Sequence, residues 1–95
     1  MKNNNKIIGE FMGHKPAKLL YITLYRDYKE WNKLMPVIEK IETMGCEVVH
    51  RVGDCVVYKI DEQENYRCII DIQGVDKLNS AYKAVVEFIK NHEIL

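Results

Sequence analysis

The apolar residues between positions 31 and 45 recur with the period of an α-helix. Five of them fall at positions i, i+3, i+4, i+7 and i+10 and share one helical face: Trp31, Leu34, Met35, Ile38 and Ile41. Gly45 follows the last turn, where glycine commonly ends a helix. The pattern therefore predicts a helix that packs this face against a hydrophobic core.

The start of this helix is open to two interpretations because of Pro36. Asp27 and Glu30 have the spacing of a capping box, which favours a start at Asp27. Pro36 would then lie in the helix interior, where proline costs about 3 kcal/mol, and the helix would kink near Asn32. With a start at Asn32 or Lys33, Pro36 falls in or just past the first turn, where proline is tolerated.

Two further helices are predicted towards the ends of the chain. A narrow apolar stripe that stops at Gly13 indicates a first helix of about ten residues, and it consists of Ile7, Ile8, Phe11 and Met12. The last helix is predicted to begin after Asp76, a typical N-cap residue. Its apolar surface comprises Leu78, Ala81, Tyr82, Val85 and Ile89, widened by Val86 and Phe88.

Between these helices the hydrophobic period changes to the alternation of β-strands. The segments CEVVHRV (46–52), CVVYKI (55–60) and YRCIIDI (66–72) predict three strands. The polar stretch 61–65 predicts a hairpin loop, so the three strands form an antiparallel meander. The segment LLYITLY (19–25) is rich in β-branched and aromatic residues and predicts an edge strand or an ordered connection.

Gly53 and Asp54 predict a two-residue turn between the first two of these strands, since glycine supplies the positive φ that such turns need. This turn would set His50 opposite Val57 and leave His50 and Cys55 diagonal on one face. Both faces of the hairpin are largely apolar, which indicates a sheet covered on two sides.

These elements together predict one domain over residues 1–95 with an α+β fold. Its sheet is expected to be a three-stranded antiparallel meander, or a four-stranded one if residues 19–25 join it. Three helices are expected to pack with the sheet in α-β-α layers.

Composition narrows the class of protein. Hydrophobic residues make up 47% and charged residues 29%, values that exclude a disordered or collagen-like chain. No apolar run reaches the ~18–20 residues that cross a bilayer, and the opening MKNNNKIIGEFMG lacks the apolar stretch of a secretory signal. We therefore expect a cytoplasmic protein without membrane contact. Cys46, Cys55 and Cys68 are odd in number and lack C-x-x-C spacing, so we expect reduced thiols.

The formal net charge is zero, but the charges are unevenly distributed along the chain. Residues 1–40 carry eight basic and four acidic side chains, whereas residues 41–95 carry six and ten. This segregation fits a dipolar surface, an anion-binding face or head-to-tail self-association.

Three motifs, in this order, carry a resemblance to a known family: EFMG (10–13), WNKLMPVIEKIE (31–42) and AYKAVVEFIK (81–90). They resemble short proteins of unknown function encoded by phages and prophage-like elements of Bacteroides-group bacteria, and more distantly the phage α-β-α sandwich domain. The resemblance implies a layered domain from a mobile element, in which Pro36 is a family feature compatible with its helix. It brings no catalytic or binding residue with it.

A Cys–His pair is the best enzymatic hypothesis in this sequence. His50 and Cys55 are predicted on one face, where a histidine can lower the pKa of a thiol and make it nucleophilic. The competing interpretation is a buried structural cysteine beside a hydrogen-bonded histidine. No metal-ligand spacing or glycine-rich phosphate motif occurs. We therefore expect no enzymatic activity, no metal and no cofactor. Among the functional hypotheses a thiol enzyme ranks third, after contact with a protein and binding of nucleic acid.

The leading hypothesis is contact with a protein partner, either unidentified or a second copy of this chain. Interfaces favour aromatic residues with flanking charges, and such residues cluster in one segment: Lys18, Tyr21, Tyr25, Arg26, Tyr28, Lys29 and Trp31. The alternative is weak nucleic-acid binding through the basic and aromatic residues of segment 15–33. The neutral total charge disfavours that alternative.

Overall fold

The helix predicted from the 31–45 pattern begins at Trp31 and ends at Glu42. In the computed structural model, residues 4–20, 22–74 and 76–93 are described. Their elements, in chain order, are α1 (Asn4–Met12), β1 (Ala17–Leu19), β2 (Ile22–Leu24), α2 (Trp31–Glu42), β3 (Cys46–His50), β4 (Cys55–Ile60), β5 (Tyr66–Ile72) and α3 (Lys77–Glu93). The predicted α+β fold and the antiparallel meander, with strand order β3-β4-β5, are confirmed.

The N-terminus of α2 resolves the two interpretations in favour of a late start. Glu30 has an extended backbone (φ −142°, ψ 140°), and its carbonyl accepts hydrogen bonds from the N–H groups of Lys33 and Leu34. The predicted capping box is therefore wrong. The Asp27 carboxylate instead accepts from the Lys29 N–H at 3.0 Å, and the Glu30 side chain makes no cap but pairs with Lys33.

Pro36 is the sixth residue of α2, and the helix continues through it. The carbonyl of Asn32 loses the N–H that any other residue at position 36 would offer it. The helix buries Leu34, Val37, Ile38 and Ile41. Trp31 and Met35, predicted on the core face, lie at its margin with about 38% of their surface exposed.

The predicted ends of the other two helices are confirmed. Gly13 follows α1 with φ +75°, the left-handed conformation that terminates helices. Asp76 caps α3: its carboxylate accepts from the Leu78 N–H at 2.9 Å and from the Asn79 side chain at 2.8 Å.

The β3–β4 turn is displaced by one residue from the prediction. Arg51 and Asp54 exchange two backbone hydrogen bonds, so the turn residues are Val52 and Gly53. Gly53 takes the positive φ (+79°) at the second turn position, not at the first. His50 consequently pairs directly with Cys55. Each pairing shifts by two residues, an even number, and for this reason the predicted assignment of side chains to faces survives.

A β-bulge in β5 adjusts the third strand to the core. Val57 pairs with Ile70, but the next residue, Tyr58, pairs with Cys68, so Ile69 has no partner of its own. Ile69 and Ile70, although adjacent, both pack on the core.

All three helices contribute to the core, and the sheet residues in it lie on one face. These are Cys46, Cys55, Val57 and Ile70. The helices therefore pack against the face of the sheet that carries Cys55 and Val57. The opposite face is shielded by its own side chains: the Arg51 guanidinium donates to the Tyr58 hydroxyl at 3.1 Å, and the Tyr58 and Tyr66 rings meet edge to face.

Residues 19–25 do not form one strand, and they do not join the meander. The chain reverses between Leu19 and Ile22, and β1 pairs with β2 in a separate two-stranded sheet. No helix within the described ranges combines the length and apolarity needed to span a bilayer.

Candidate interaction surface

The described side chains of the 17–24 hairpin (β1, β2 and the connection between them) project into solvent. Five of its side chains are described, all of them exposed: Ala17, Lys18, Leu20, Thr23 and Leu24. Its register pairs Ala17 with Leu24 and Lys18 with Thr23. An isolated two-stranded hairpin is marginally stable in water. Backbone pairing holds this one together, and its described side chains remain free for other contacts.

Leu20 at the hairpin tip combines two unfavourable features. Its φ is +53°, a left-handed conformation that costs an L-residue other than glycine or asparagine about 1 kcal/mol. Its side chain is 92% exposed. Asparagine or glycine normally occupies this turn position, and both would be less strained. Leucine is therefore a poor choice for the stability of the hairpin itself.

The charged side chains of residues 15–26, which include the hairpin, are all basic. Lys15, Lys18 and Arg26 are exposed, and residues 11–26 contain no acidic side chain. Lys29 is also exposed, and its ammonium group lies 5.7 Å from the centre of the Tyr82 ring. The charge of Lys29 is diluted by its neighbours Asp27 and Glu30. Residues 15–26 are therefore the most uniformly basic part of the candidate segment 15–33.

The aromatic residues predicted for this surface fall into different environments. Tyr25 is half-buried, and Tyr21 lies outside the described residues. Trp31 is partly exposed, and its ring meets the His50 ring edge to face at a centroid distance of 5.4 Å. Tyr28 is 1% exposed and belongs to the core. It cannot contact a partner directly, contrary to the prediction.

Tyr28 instead holds together the two ends of segment 15–27, which carries the hairpin. Its hydroxyl lies 2.6 Å from His14 Nδ1, and its N–H donates to the Asn5 side chain at 3.3 Å. The Tyr82 hydroxyl donates to the same Asn5 oxygen at 2.7 Å. Burial raises the pKa of Tyr28 above its ordinary value, although the positive charge of Arg26 opposes this. The His14–Tyr28 contact closes residues 15–27 into a loop anchored on α1 and α3.

Sequence reasoning missed Leu20, Asn5 and His14. The stretch Leu19 to Ile22 contains no glycine, proline, asparagine or aspartate, so nothing in it signals a turn. Asn5 and His14 act through partners 23 and 14 residues away in the chain, and no short-range pattern reveals such contacts.

The geometry of the Cys–His pair does not favour a nucleophile. His50 and Cys55 are direct cross-strand partners, but the Cys55 side chain is fully buried. Burial raises the pKa of its thiol to about 11, so the reactive thiolate is scarce at neutral pH. Burial also lowers the pKa of His50, opposed by Glu42 and assisted by Lys77. Burial thus disfavours the charged form of each group, and with it a thiolate–imidazolium pair.

Thiol labelling is expected to separate the three cysteines. Cys68 is exposed, whereas Cys46 and Cys55 are buried and burial raises the pKa of both. At pH 7.5, iodoacetamide should modify one thiol rapidly in the native protein and all three in denaturant, as counted by intact mass. Cys68→Ser should remove the rapid reaction. Rapid labelling of Cys55 in the native C68S protein would restore the thiol-enzyme hypothesis.

Metal clusters and polar grooves are two further kinds of candidate site in the described ranges. No group of three or more histidine, cysteine, aspartate or glutamate side chains there lies close enough to hold a metal ion. A surface groove of about 350 Å³ lies at the start of α3 between Lys29 and Lys83. Its floor includes Asp76 and Ser80, whose polar groups are already used to cap α3 and to bond Gly53.

No protein-family model, no curated protein and no solved structure matches this chain.

Proposed function

We propose that this chain is a non-enzymatic accessory protein of a phage or prophage-like element, and that it acts in the bacterial cytoplasm by contacting another protein. The contact surface is the 17–24 hairpin with the flanking residues Tyr25 and Arg26. The mobile-element origin rests on the resemblance of the three sequence motifs. The contact surface rests on the geometry of the hairpin.

The observation that carries the proposal is the conformation of Leu20. This side chain is 92% exposed at φ +53°, so it adds backbone strain and buries almost no apolar surface within its own chain. Exposed strain of this kind favours a functional explanation. In a complex, burial of a leucine side chain contributes about 2 kcal/mol. Leu20 therefore favours the bound state of the protein over the free state.

The anchoring of the hairpin supports the same function. Binding energy is reduced when a loop must be ordered on association. Here the His14–Tyr28 contact and the Asn5 hydrogen bonds hold the base of the loop before any partner arrives. A tip presented from a fixed base loses less conformational entropy on binding than a free loop does.

Leu20→Asn is expected to weaken partner binding without loss of stability. Asparagine tolerates a left-handed φ, so the free energy of unfolding should stay equal or rise by up to about 1 kcal/mol. Loss of the buried leucine should weaken affinity by roughly 30-fold. Tagged wild-type and variant proteins would be used to capture partners from nuclease-treated bacterial lysate, and the retained proteins would be quantified by mass spectrometry.

Val52→Asn is the matched control, because Val52 is also 92% exposed and also lies in a hairpin turn. A stoichiometric protein that is retained by wild type and V52N but lost from L20N would support the proposal. Equal retention by all three proteins, or loss from both variants, would contradict it. If wild type and L20N differ in oligomeric state by light scattering, the partner is a second copy of this chain.

Weak nucleic-acid binding is the second candidate, favoured by the exposed cations Lys15, Lys18 and Arg26. The burial of Tyr28 removes one of the rings that would stack on bases. This alternative predicts that partners are captured from untreated lysate but not from nuclease-treated lysate. It also predicts a salt-sensitive gel shift with a single-stranded oligonucleotide.

A further inference from the structure

The backbone of the 17–24 hairpin has two edges, and their hydrogen-bonding groups can be assigned from its register. Leu19 and Ile22 pair across the two-residue loop, followed by Lys18 with Thr23. In antiparallel pairs, mutually bonded and unbonded pairs alternate, and a two-residue loop makes its closing pair the bonded one. The N–H and C=O groups of Lys18 and Thr23 therefore point outward, one residue on each edge.

The two edges differ in their capacity to accept another strand. Along β1, the next outward position is Pro16, which has no N–H to donate. Continued one residue past the end of β2 at Leu24, the same alternation makes Tyr25 the next outward position on this edge. Its backbone makes no hydrogen bond to another described residue. The β2 edge thus offers two consecutive outward residues, Thr23 and Tyr25, whereas the β1 edge offers only Lys18.

The charges identify the chemistry of a strand that would fit this edge. Lys18 and Thr23 share one face of the hairpin, Lys15 and Arg26 flank it, and no acidic residue lies between positions 11 and 26. Such a surface attracts acidic segments and repels basic ones. Strand addition supplies affinity through main-chain hydrogen bonds, while side chains supply specificity.

We propose that the protein partner binds through an acidic, extended segment that adds to the β2 edge as a third strand, beside Thr23 and Tyr25. This inference rests on the proposed function of the hairpin and specifies the partner's chemistry. Leu20 at the tip makes the apolar contact. The added strand forms hydrogen bonds with the outward N–H and C=O groups of Thr23 and Tyr25. It thereby completes a three-stranded sheet, which is the smallest sheet with independent stability.

Amide hydrogen exchange with model peptides tests this proposal. The probes are an acetylated, amidated heptapeptide of alternating glutamate and valine, and its lysine–valine counterpart. The acidic peptide should slow exchange of the Thr23 and Tyr25 amides at least tenfold at saturation and leave the Lys18 amide unchanged. The basic peptide should have no effect. Equal effects of both peptides, or protection of Lys18 in place of Thr23, would overturn the proposal.

Two variants at Thr23 provide an independent test. Thr23→Pro removes the outward N–H and should abolish both the peptide effect at Tyr25 and capture of the partner. Thr23→Val retains the N–H with a side chain of similar shape and should bind normally. Binding by T23P would overturn the proposal. So would the same amide protection by a single-stranded oligonucleotide in the absence of any peptide effect, since the edge would then serve nucleic acid.

The outcomes separate this inference from the proposed function. If L20N loses its partner but neither the acidic peptide nor T23P has an effect, the hairpin binds a protein by another mode and only the strand-addition inference fails. If L20N and V52N retain the partner equally, the proposed function fails, whatever the peptides do.

Discussion

Replacing Tyr28 by alanine should lower the free energy of unfolding by about 4 kcal/mol, the typical loss for an aromatic side chain removed from a core. Tyr28 is 1% exposed, and its hydroxyl and N–H contact His14 and Asn5. Truncation leaves a cavity and removes the partner of His14 Nδ1. Urea denaturation monitored by circular dichroism would measure the change.

Tyr25→Ala is the matched control for this experiment, since Tyr25 is half-buried and makes no described hydrogen bond. This substitution should lower the free energy of unfolding by less than about 1 kcal/mol. Tyr28→Phe isolates the hydroxyl and should cost about 1 kcal/mol. A stable Y28A protein that had lost its partner would return Tyr28 to the interaction surface, where the sequence alone had assigned it.

Gly74→Ala should destabilise the protein by about 2 kcal/mol, because the new methyl group would collide with the buried Ser80 hydroxyl. A Cβ atom at Gly74 would lie 2.6 Å from Ser80 Oγ and 3.4 Å from the carbonyl oxygen of Gly53. The Ser80 hydroxyl is buried and donates to that same carbonyl, so it cannot move aside without losing its hydrogen bond. Thermal denaturation would report the loss.

A double-mutant cycle identifies the cause of that loss. Ser80→Ala alone should cost about 1 kcal/mol through the missing hydrogen bond. It also removes the atom that the new methyl group meets. In the S80A background, Gly74→Ala should therefore cost at least about 1 kcal/mol less than in the wild type. Strictly additive effects would show that the clash with Ser80 is not the cause.

The helices could be predicted because their signals are local. The apolar spacing of α2 and α3, Gly13 after α1 and Asp76 before α3 each act within one or two turns of their own helix. The late start of α2 could not be fixed in the same way. The pair Asp27 and Glu30 fits a capping box by spacing, but each carboxylate has another partner in the fold.

The candidate site was only partly predictable, for a physical reason. The segment rich in lysine and tyrosine was identified, but sequence alone does not separate a tyrosine that anchors a loop from one that faces solvent. Tyr28 is buried because α1 and α3 supply Asn5 and Tyr82 beside it. The turn at Leu20 was missed because leucine is the wrong residue for a left-handed turn. The same mismatch makes Leu20 the strongest functional candidate.

The two hairpin turns are attached to the molecule in different ways. The β3–β4 turn is tied to α3, since the Gly53 carbonyl accepts from Ser80 and the Asp54 carboxylate accepts from the Gly74 N–H. Between β1 and β2, by contrast, Leu20 extends into solvent. A change that breaks these two hydrogen bonds at the β3–β4 turn would disturb its junction with α3, whereas the connection between β1 and β2 can change sequence or length at little cost in stability. Sequence change can therefore accumulate around Leu20 while the scaffold of helices and meander stays constant.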